Sequence, residues 1–275
     1  SAERGHEVTV LEAMPWAGGQ IRLAVRNERR RDLIGIVDWR LSELARLGVD
    51  VRYDTFAEAD EVMAMRPDVV IVATGGLAQS PPLEDGSELV TSTWDVLAGS
   101  VRPAGRVLLF DDNGGHPGMS AAEVLARSGV ELEVVTPERF FAPDVGGLNH
   151  VPYARALHET GARITINSRL VGVRRDEGEL VATIGSDYSG HRIERRIDHV
   201  VVEHGTSPLA ELYFGLKECS ANRGAVDHGD LIGGRPQTLR TNPSGQFQLF
   251  RIGDAVSSRN IHAAIYDALR LAKDL

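Results

Sequence analysis

Apolar and polar positions along the chain alternate between strand-like runs and helical spacings. Glu7–Leu11 reads as a strand. Asp32–Leu47 puts Leu33, Ile36, Val37, Leu41, Leu44 and Leu47 at helical spacing, and Gly48 follows as a stop signal. Val49–Tyr53 is a short strand, Glu58–Met65 a short helix, and Asp68–Thr74 a buried strand that exits into Gly75-Gly76. Beyond the Pro/Gly-rich stretch Gln79–Gly86, Thr93–Ala98 reads as a short helix and Arg106–Asp111 as another buried strand. The glycine loop Asn113–Gly118 leads to a helix, Ser120–Ser128, and to the strand Glu131–Thr136. This second strand–glycine loop–helix–strand unit restarts the pattern of an α/β nucleotide fold. Val151–Glu159 is helical and Arg163–Asn167 a strand. Leu170–Arg175, Glu179–Ser186 and Arg192–Val202 then alternate apolar and polar residues, as an antiparallel meander does. Arg251–Asp254 ends the last strand and Asn260–Leu271 closes as a helix.

Composition narrows the function classes. The chain has 275 residues, 42% of them hydrophobic and 25% charged, the balance of a soluble globular chain of one large or two ordinary domains. The longest strongly apolar run is Val69–Ala73, far below the roughly 20 residues of a spanning helix, so no membrane segment is expected. The first residues contain no apolar signal core. The single cysteine, Cys219, excludes an internal disulfide, a paired-cysteine redox centre and a cysteine-only metal site, and fits a reducing, cytoplasmic setting. A net charge of −9 argues against a nucleic-acid surface, and the local basic run Arg26–Arg31 reads as a solvated helix start. Lys217 and Lys273 are the only lysines and neither lies in a glycine loop, which excludes a Walker phosphate loop. The histidines show no metal spacing, and Ala122 replaces the second glycine that a nucleophile elbow around Ser120 would need.

Three motifs carry the candidate chemistry. The strand Val8–Leu11 ends in Glu12, where a second dinucleotide-fold strand places the carboxylate that accepts ribose hydroxyls; Gly18, Gly19 and Gln20 follow, and the glycines allow close backbone approach to a ligand. The buried strand Val69–Val72 exits through Ala73, Thr74 and Gly75. Near the end, Gly253 and Asp254 follow a strand, and a helix begins at about Ile261. Asp254 suits a ribityl hydroxyl, and the helix N-terminus suits a diphosphate. A second, weaker nucleotide site comprises Gly114, Gly115 and Gly118, with Arg139 set to meet a 2′-phosphate. Its spacing departs from Gly-x-Gly-x-x-Gly, Pro117 removes one amide, and Thr136-Pro137 stands where an acidic strand end is expected.

Together these segments resemble the C-terminal nucleotide-binding region of the trimethylamine dehydrogenase, histamine dehydrogenase and 2,4-dienoyl-CoA reductase flavoproteins. The resemblance runs over essentially the whole chain, through Arg4–Ala13, Thr93–Leu97, Gly105–Asp111 and Gly253-Asp254 with the closing helix. It implies an α/β architecture of two Rossmann-like domains, one inserted in the other. Residues 1–100 and 235–275 would form the FAD/ADP domain, and 101–234 the NAD(P)-like domain with the meander. It also implies that the first central strand and its glycine loop are missing, together with an N-terminal barrel carrying FMN, a 4Fe-4S cluster and the substrate site, so the chain is expected to be a fragment, inactive alone. FAD or ADP is the cofactor expected here. NADPH belongs to this domain only in the dienoyl reductases. The expected partners are the barrel, a small-molecule substrate and further copies in a homo-oligomer. The degenerate second loop leans the function towards an amine dehydrogenase or N-demethylase. The alternatives are an NADPH-dependent enoate or dienoyl-CoA reductase and a non-redox ADP-binding structural module.

Overall fold

The computed structural model describes residues 1–79, 83–273 and 275; residues 80–82 of the Pro/Gly-rich stretch lie outside it. In chain order the first elements are β1 (Thr9–Leu11), α1 (Ile21–Ala24), α2 (Gly35–Arg46), β2 (Asp50–Arg52), α3 (Ala59–Ala64), β3 (Val69–Val72) and β4 (Gly76–Ala78). Then come β5 (Thr91–Ser92), α4 (Thr93–Ala98), β6 (Arg106–Asp111), α5 (His116–Arg127), β7 (Glu131–Val135), α6 (Gly147–Glu159) and β8 (Arg163–Thr165). The remainder is β9 (Arg169–Asp176), β10 (Glu179–Gly185), β11 (Arg192–Ile197), β12 (His199–Glu203), β13 (Thr206–Pro208), α7 (Glu211–Lys217), α8 (His228–Gly233), β14 (Gln248–Arg251) and α9 (Ile261–Ala272). Two compact units result. The first joins Ser1–Ile21, Ile34–Leu77 and Thr206–Leu275, and the second joins Arg22–Leu33 and Ala78–Gly205.

The first unit holds two parallel ladders. β1 runs beside β2 with Val10 opposite Val51, and β3 beside β14 with Ile71 opposite Phe250. Its core gathers Val72, Leu249 and Phe247 against Val62 of α3 and Tyr213 and Leu216 of α7. The strand expected as fully buried over 68–74 is shorter, Val69–Val72. Only Val72 is buried, and Val69 is 36% exposed. Among the described residues β14 covers one edge of β3 and nothing pairs with the other. The helix expected over 32–47 begins at Gly35, after a 3-10 stretch over Glu28–Ile34, and turns Val37 into the interior.

The second unit is built in three layers. A five-stranded parallel sheet, ordered β5-β12-β6-β7-β8, lies between helices and an antiparallel sheet ordered β11-β10-β9. Successive side chains of a strand point to opposite faces. Val107 and Leu109 of β6 therefore pack among Met119, Leu125 and Tyr153 of α5 and α6, while Leu108 and Phe110 meet Leu170, Ala182 and Ile184 of the antiparallel layer. Glu177 and Gly178, both at positive φ, make the two-residue turn between β9 and β10.

The single strand expected over 192–202 is two strands in different sheets. Ile197 ends β11 opposite Leu180, and His199 begins β12 opposite Val107. Asp198 makes the switch. Its amide donates to the Arg106 carbonyl at 2.8 Å, and its carboxylate accepts from the Arg106 amide at 2.7 Å and the guanidinium at 3.0 Å. These bonds hold the Asp198 carboxyl down at about 2. The helix expected from Ser120 starts earlier, at His116, because Pro117 suits a first helical turn, where its missing N–H costs nothing.

Candidate functional site

In the first unit the strand exits converge. β3 and β14 run parallel with Val72 opposite Arg251, and the Ile252 amide donates to the Val72 carbonyl at 3.0 Å. Ala73–Gly75 and Gly253–Asp254 thus leave the ladder side by side. Gly75 has φ 72° and accepts from the Leu209 amide at 3.0 Å, while the Thr74 hydroxyl donates to the Leu209 carbonyl. Gly253, at φ 61°, donates its amide to Asp267 at 3.1 Å and lies against Ala264 in the first turn of α9. Ile261 opens that helix behind the Asn260 cap, whose side chain accepts from the Ala263 amide at 2.9 Å.

Gln20 joins this group from the first motif. Its amide donates to Asp254 Oδ2 at 3.0 Å, and Asp254 Oδ1 accepts from the Arg259 amide at 3.1 Å. Gly18 and Gly19, at φ 120° and 47°, form the turn just before Gln20. Glu12 stands half-buried at the end of β1. Its amide donates to the Arg52 carbonyl at 2.9 Å and its Oε1 accepts from the Met14 amide at 3.0 Å. No hydrogen bond links Glu12 to the other motif residues among the described residues.

The second unit has its own strand-to-helix turn at the C-terminal end of β6. Asp111 ends this strand and is 1% exposed. Its Oδ1 accepts from the amides of Asn113 at 3.0 Å and Gly114 at 2.9 Å. Its carboxylate also fills the space a side chain at Gly118 would need. Gly114, at φ 66°, backs onto Pro143, and Gly115 is the cap of α5. Arg139 is exposed in the loop after β7. Burial pushes the Asp111 carboxyl up to about 7; the Gly114 amide opposes the rise and Glu203 adds to it. Glu203 ends β12, is also buried, and is raised by burial. It accepts from the Thr93 hydroxyl, from the Gly205 amide at 2.9 Å and from Asn113 Nδ2 at 3.3 Å. Beside them His204 Nδ1 lies 2.9 Å from Asp112.

A third cluster was hidden in the sequence. The basic run expected to be a solvated helix start is docked within the second unit at two of its arginines. Arg29 pairs with the buried Glu123 of α5 at 2.9 Å and lies over the Tyr153 ring, and Arg30 donates to Ser120 at 3.2 Å. Asn27, 1% exposed, donates to Glu123 at 2.8 Å. Burial pushes Glu123 up, but the hydrogen bonds from Arg29 and Asn27 outweigh it and hold the carboxyl low. Burial, with Arg30 and Arg29 nearby, holds His116 down at about 4. No spacing rule could have found Glu123. Asp111 and Glu203 did leave a signal: each is an acid closing an all-apolar strand, Val107–Phe110 and Val200–Val202. Among the described residues no cluster of His, Cys, Asp and Glu could hold a metal, and no helix is long and apolar enough to cross a membrane.

No protein-family model matches the chain. Curated proteins do. It is 51% identical over 275 residues to a probable N-methylproline demethylase from Rhizobium meliloti, covering 100% of this chain and 41% of that protein. It is 44% identical over 285 residues to an N,N-dimethylglycine/sarcosine dehydrogenase from Chromohalobacter salexigens, again covering 100% of this chain and 41% of the relative. Over its whole length the chain is similar to part of these flavin-dependent oxidoreductases. It spans about two-fifths of the length of the curated relatives it matches. A solved histamine dehydrogenase from Rhizobium sp. 4-9 superposes on all of the chain with a TM-score of 0.80 at 20% identity, covering 41% of that protein, so the fold is shared.

Proposed function

We propose that this chain is the nucleotide-cofactor-binding part of a flavin-dependent oxidoreductase that acts on N-methylated amines, as a dehydrogenase or N-demethylase. The observation that carries the reading is the hydrogen bond from Gln20 to Asp254 at the paired exits of β3 and β14, which gathers three separate motifs at the C-terminal ends of parallel strands. That is where doubly wound sheets bind nucleotides. The demethylase and dehydrogenase relatives supply the substrate class.

The residues present fit an adenosine diphosphate moiety, from FAD or from ADP itself. A side chain added at Gly19 or Gly75 would meet no atom within 4 Å, so backbone there is open to a ligand. In this reading Glu12 accepts ribose hydroxyls, Gly18, Gly19, Gln20 and Ala73–Gly75 line the approach, and Gly253, Asp254 and the amides near Ile261 receive the diphosphate or ribityl chain. The redox chemistry belongs to the bound cofactors and to the barrel that carries the substrate pocket; this chain binds and orients the adenosine diphosphate moiety.

The two compact units then correspond to two nucleotide-type domains, one inserted in the other. In the first, β1 and β3 each lack a partner on one edge among the described residues. One further parallel strand between them, carrying the first glycine turn, would complete the order β2-β1-x-β3-β14. FMN, a 4Fe-4S cluster and the substrate pocket belong to a barrel outside this sequence, the assembly is a homo-oligomer, and the compartment is the reducing cytoplasm. The test is anaerobic titration of the full-length enzyme. N-methylated amino acids should bleach the flavin absorbance on a turnover timescale, while NADPH and NADH should not. Rapid bleaching by NADPH, with no response to any amine, would make the enzyme a reductase instead.

A further inference from the structure

In the second unit β6 is the strand at which the sheet order reverses: β7 and β8 lie to one side, β12 and β5 to the other. The crevice at the C-terminal end of such a strand is where an open parallel sheet takes a ligand. A diphosphate bound there is held by the amides of the strand-to-helix turn. Here two of those amides, Asn113 and Gly114, are already used. We propose that Asp111 is a built-in carboxyl group that occupies the phosphate position of this turn, and that it is the residue which denies the second unit a nucleotide.

Four observations converge on this. Asp111 Oδ1 takes both the Asn113 and Gly114 amides, at 3.0 and 2.9 Å. Its carboxylate lies against Gly118, so this glycine leaves room for a carboxylate and not for a cofactor. Pro143 closes the far side of the turn, 2.7 Å from where a Cβ on Gly114 would stand, and the Asp144 amide donates to the Gly114 carbonyl at 3.1 Å. Finally, Glu203 is buried close by, so an entering phosphate would meet two buried carboxyl groups with no cation bonded to either among the described residues. A charge buried without its own partner is costly, and a second anion of like sign raises that cost.

The inference deepens the reading above, in which no nicotinamide nucleotide is used, but its test needs neither flavin nor amine. Inorganic pyrophosphate and NADPH are titrated calorimetrically into the full-length enzyme and into Asp111→Ala, with circular dichroism as the control for folding. The wild type should bind neither ligand at this turn, and Asp111→Ala should bind pyrophosphate at least about ten-fold more tightly, a difference of roughly 1.4 kcal/mol. A folded Asp111→Ala enzyme that binds pyrophosphate no better than the wild type would overturn the proposal. A second pair of variants guards against misfolding of the first. Gly118→Ala should lower the thermal midpoint in the wild-type background and be tolerated in Asp111→Ala. Equal losses in both backgrounds would show that the carboxylate does not fill this space. If amine oxidation fails while these results hold, the proposed reaction falls and the assignment of Asp111 stands.

Discussion

At the scale of single residues the second unit is governed by acids that the fold takes out of water. Asp111 titrates at about 7 in the folded chain against 3.8 for an ordinary aspartate, because burial penalises its charge more than the two amides repay. Between these values the folded state holds a proton that the unfolded chain has lost. The stability this contributes is complete below about pH 4 and disappears as pH rises through about 7. Asp111→Asn removes the charge and keeps an acceptor for the amides. Its urea midpoint should therefore gain on that of the wild type between about pH 4 and about pH 7. A difference that stays constant over this range would place the titration elsewhere. Glu123 is the opposite case. It too is taken out of water, though less deeply than Asp111, and it stays low because Arg29 and Asn27 reach it.

At the scale of elements, caps and turns decide where the chain changes direction. Ser92 and Asp95 form a reciprocal capping box at the start of α4, with the Asp95 amide donating to Ser92 Oγ at 3.1 Å. The Asn260 cap does the same for α9 alone, and it does so beside Gly253. Asn260→Ala should cost about 1 kcal/mol of stability in chemical denaturation, the usual loss when a helix cap side chain is removed. It should also weaken ADP binding, because the first turn of α9 frays. Unchanged ADP affinity in a variant that shows the stability loss would remove the α9 N-terminus from the proposed site. The break between β11 and β12 is a different kind of event. The pattern changes at Asp198, from the mixed Arg192–Ile197 to the apolar run Val200–Val202, but no glycine or proline marks a stop, and the Arg106 partner lies 92 residues away.

At the scale of the whole molecule the two units differ in how well they are closed. The parallel sheet of the second unit is five strands wide and covered on both faces, with Leu108, Leu109 and Val201 at 0% exposure. The strands of the first unit form only separate ladders of two strands, and its closing helix α9 buries only Leu271 among its described residues. Backbone groups on an unpaired strand edge must be satisfied by water or by another strand. The 275-residue chain expressed alone should therefore purify colourless and bind FAD weakly or not at all, since in the proposed reading the main diphosphate donors sit on a further glycine turn between β1 and β3. Stoichiometric, tightly held flavin in the isolated chain would contradict this.

Sequence by itself determined the alternation of strands and helices, the parallel exits at Glu12, Gly75 and Gly253, and the meander, because each rests on short-range periodicity or on glycine and capping chemistry within a few residues. The amine-dehydrogenase resemblance rested on the same local strings. Tertiary structure alone decided that Gln20 meets Asp254 across 234 residues, that Arg29 and Arg30 dock inside the second unit instead of facing water, and that residues 192–202 serve two sheets. It also decided what the second glycine turn holds. Gly114, Gly115 and Gly118 read as a weak phosphate loop because the residue types suit one. Whether their amides face a ligand or a carboxylate of the same chain depends on where the preceding side chain is buried, and that is set by the packing of β6 between β12 and β7.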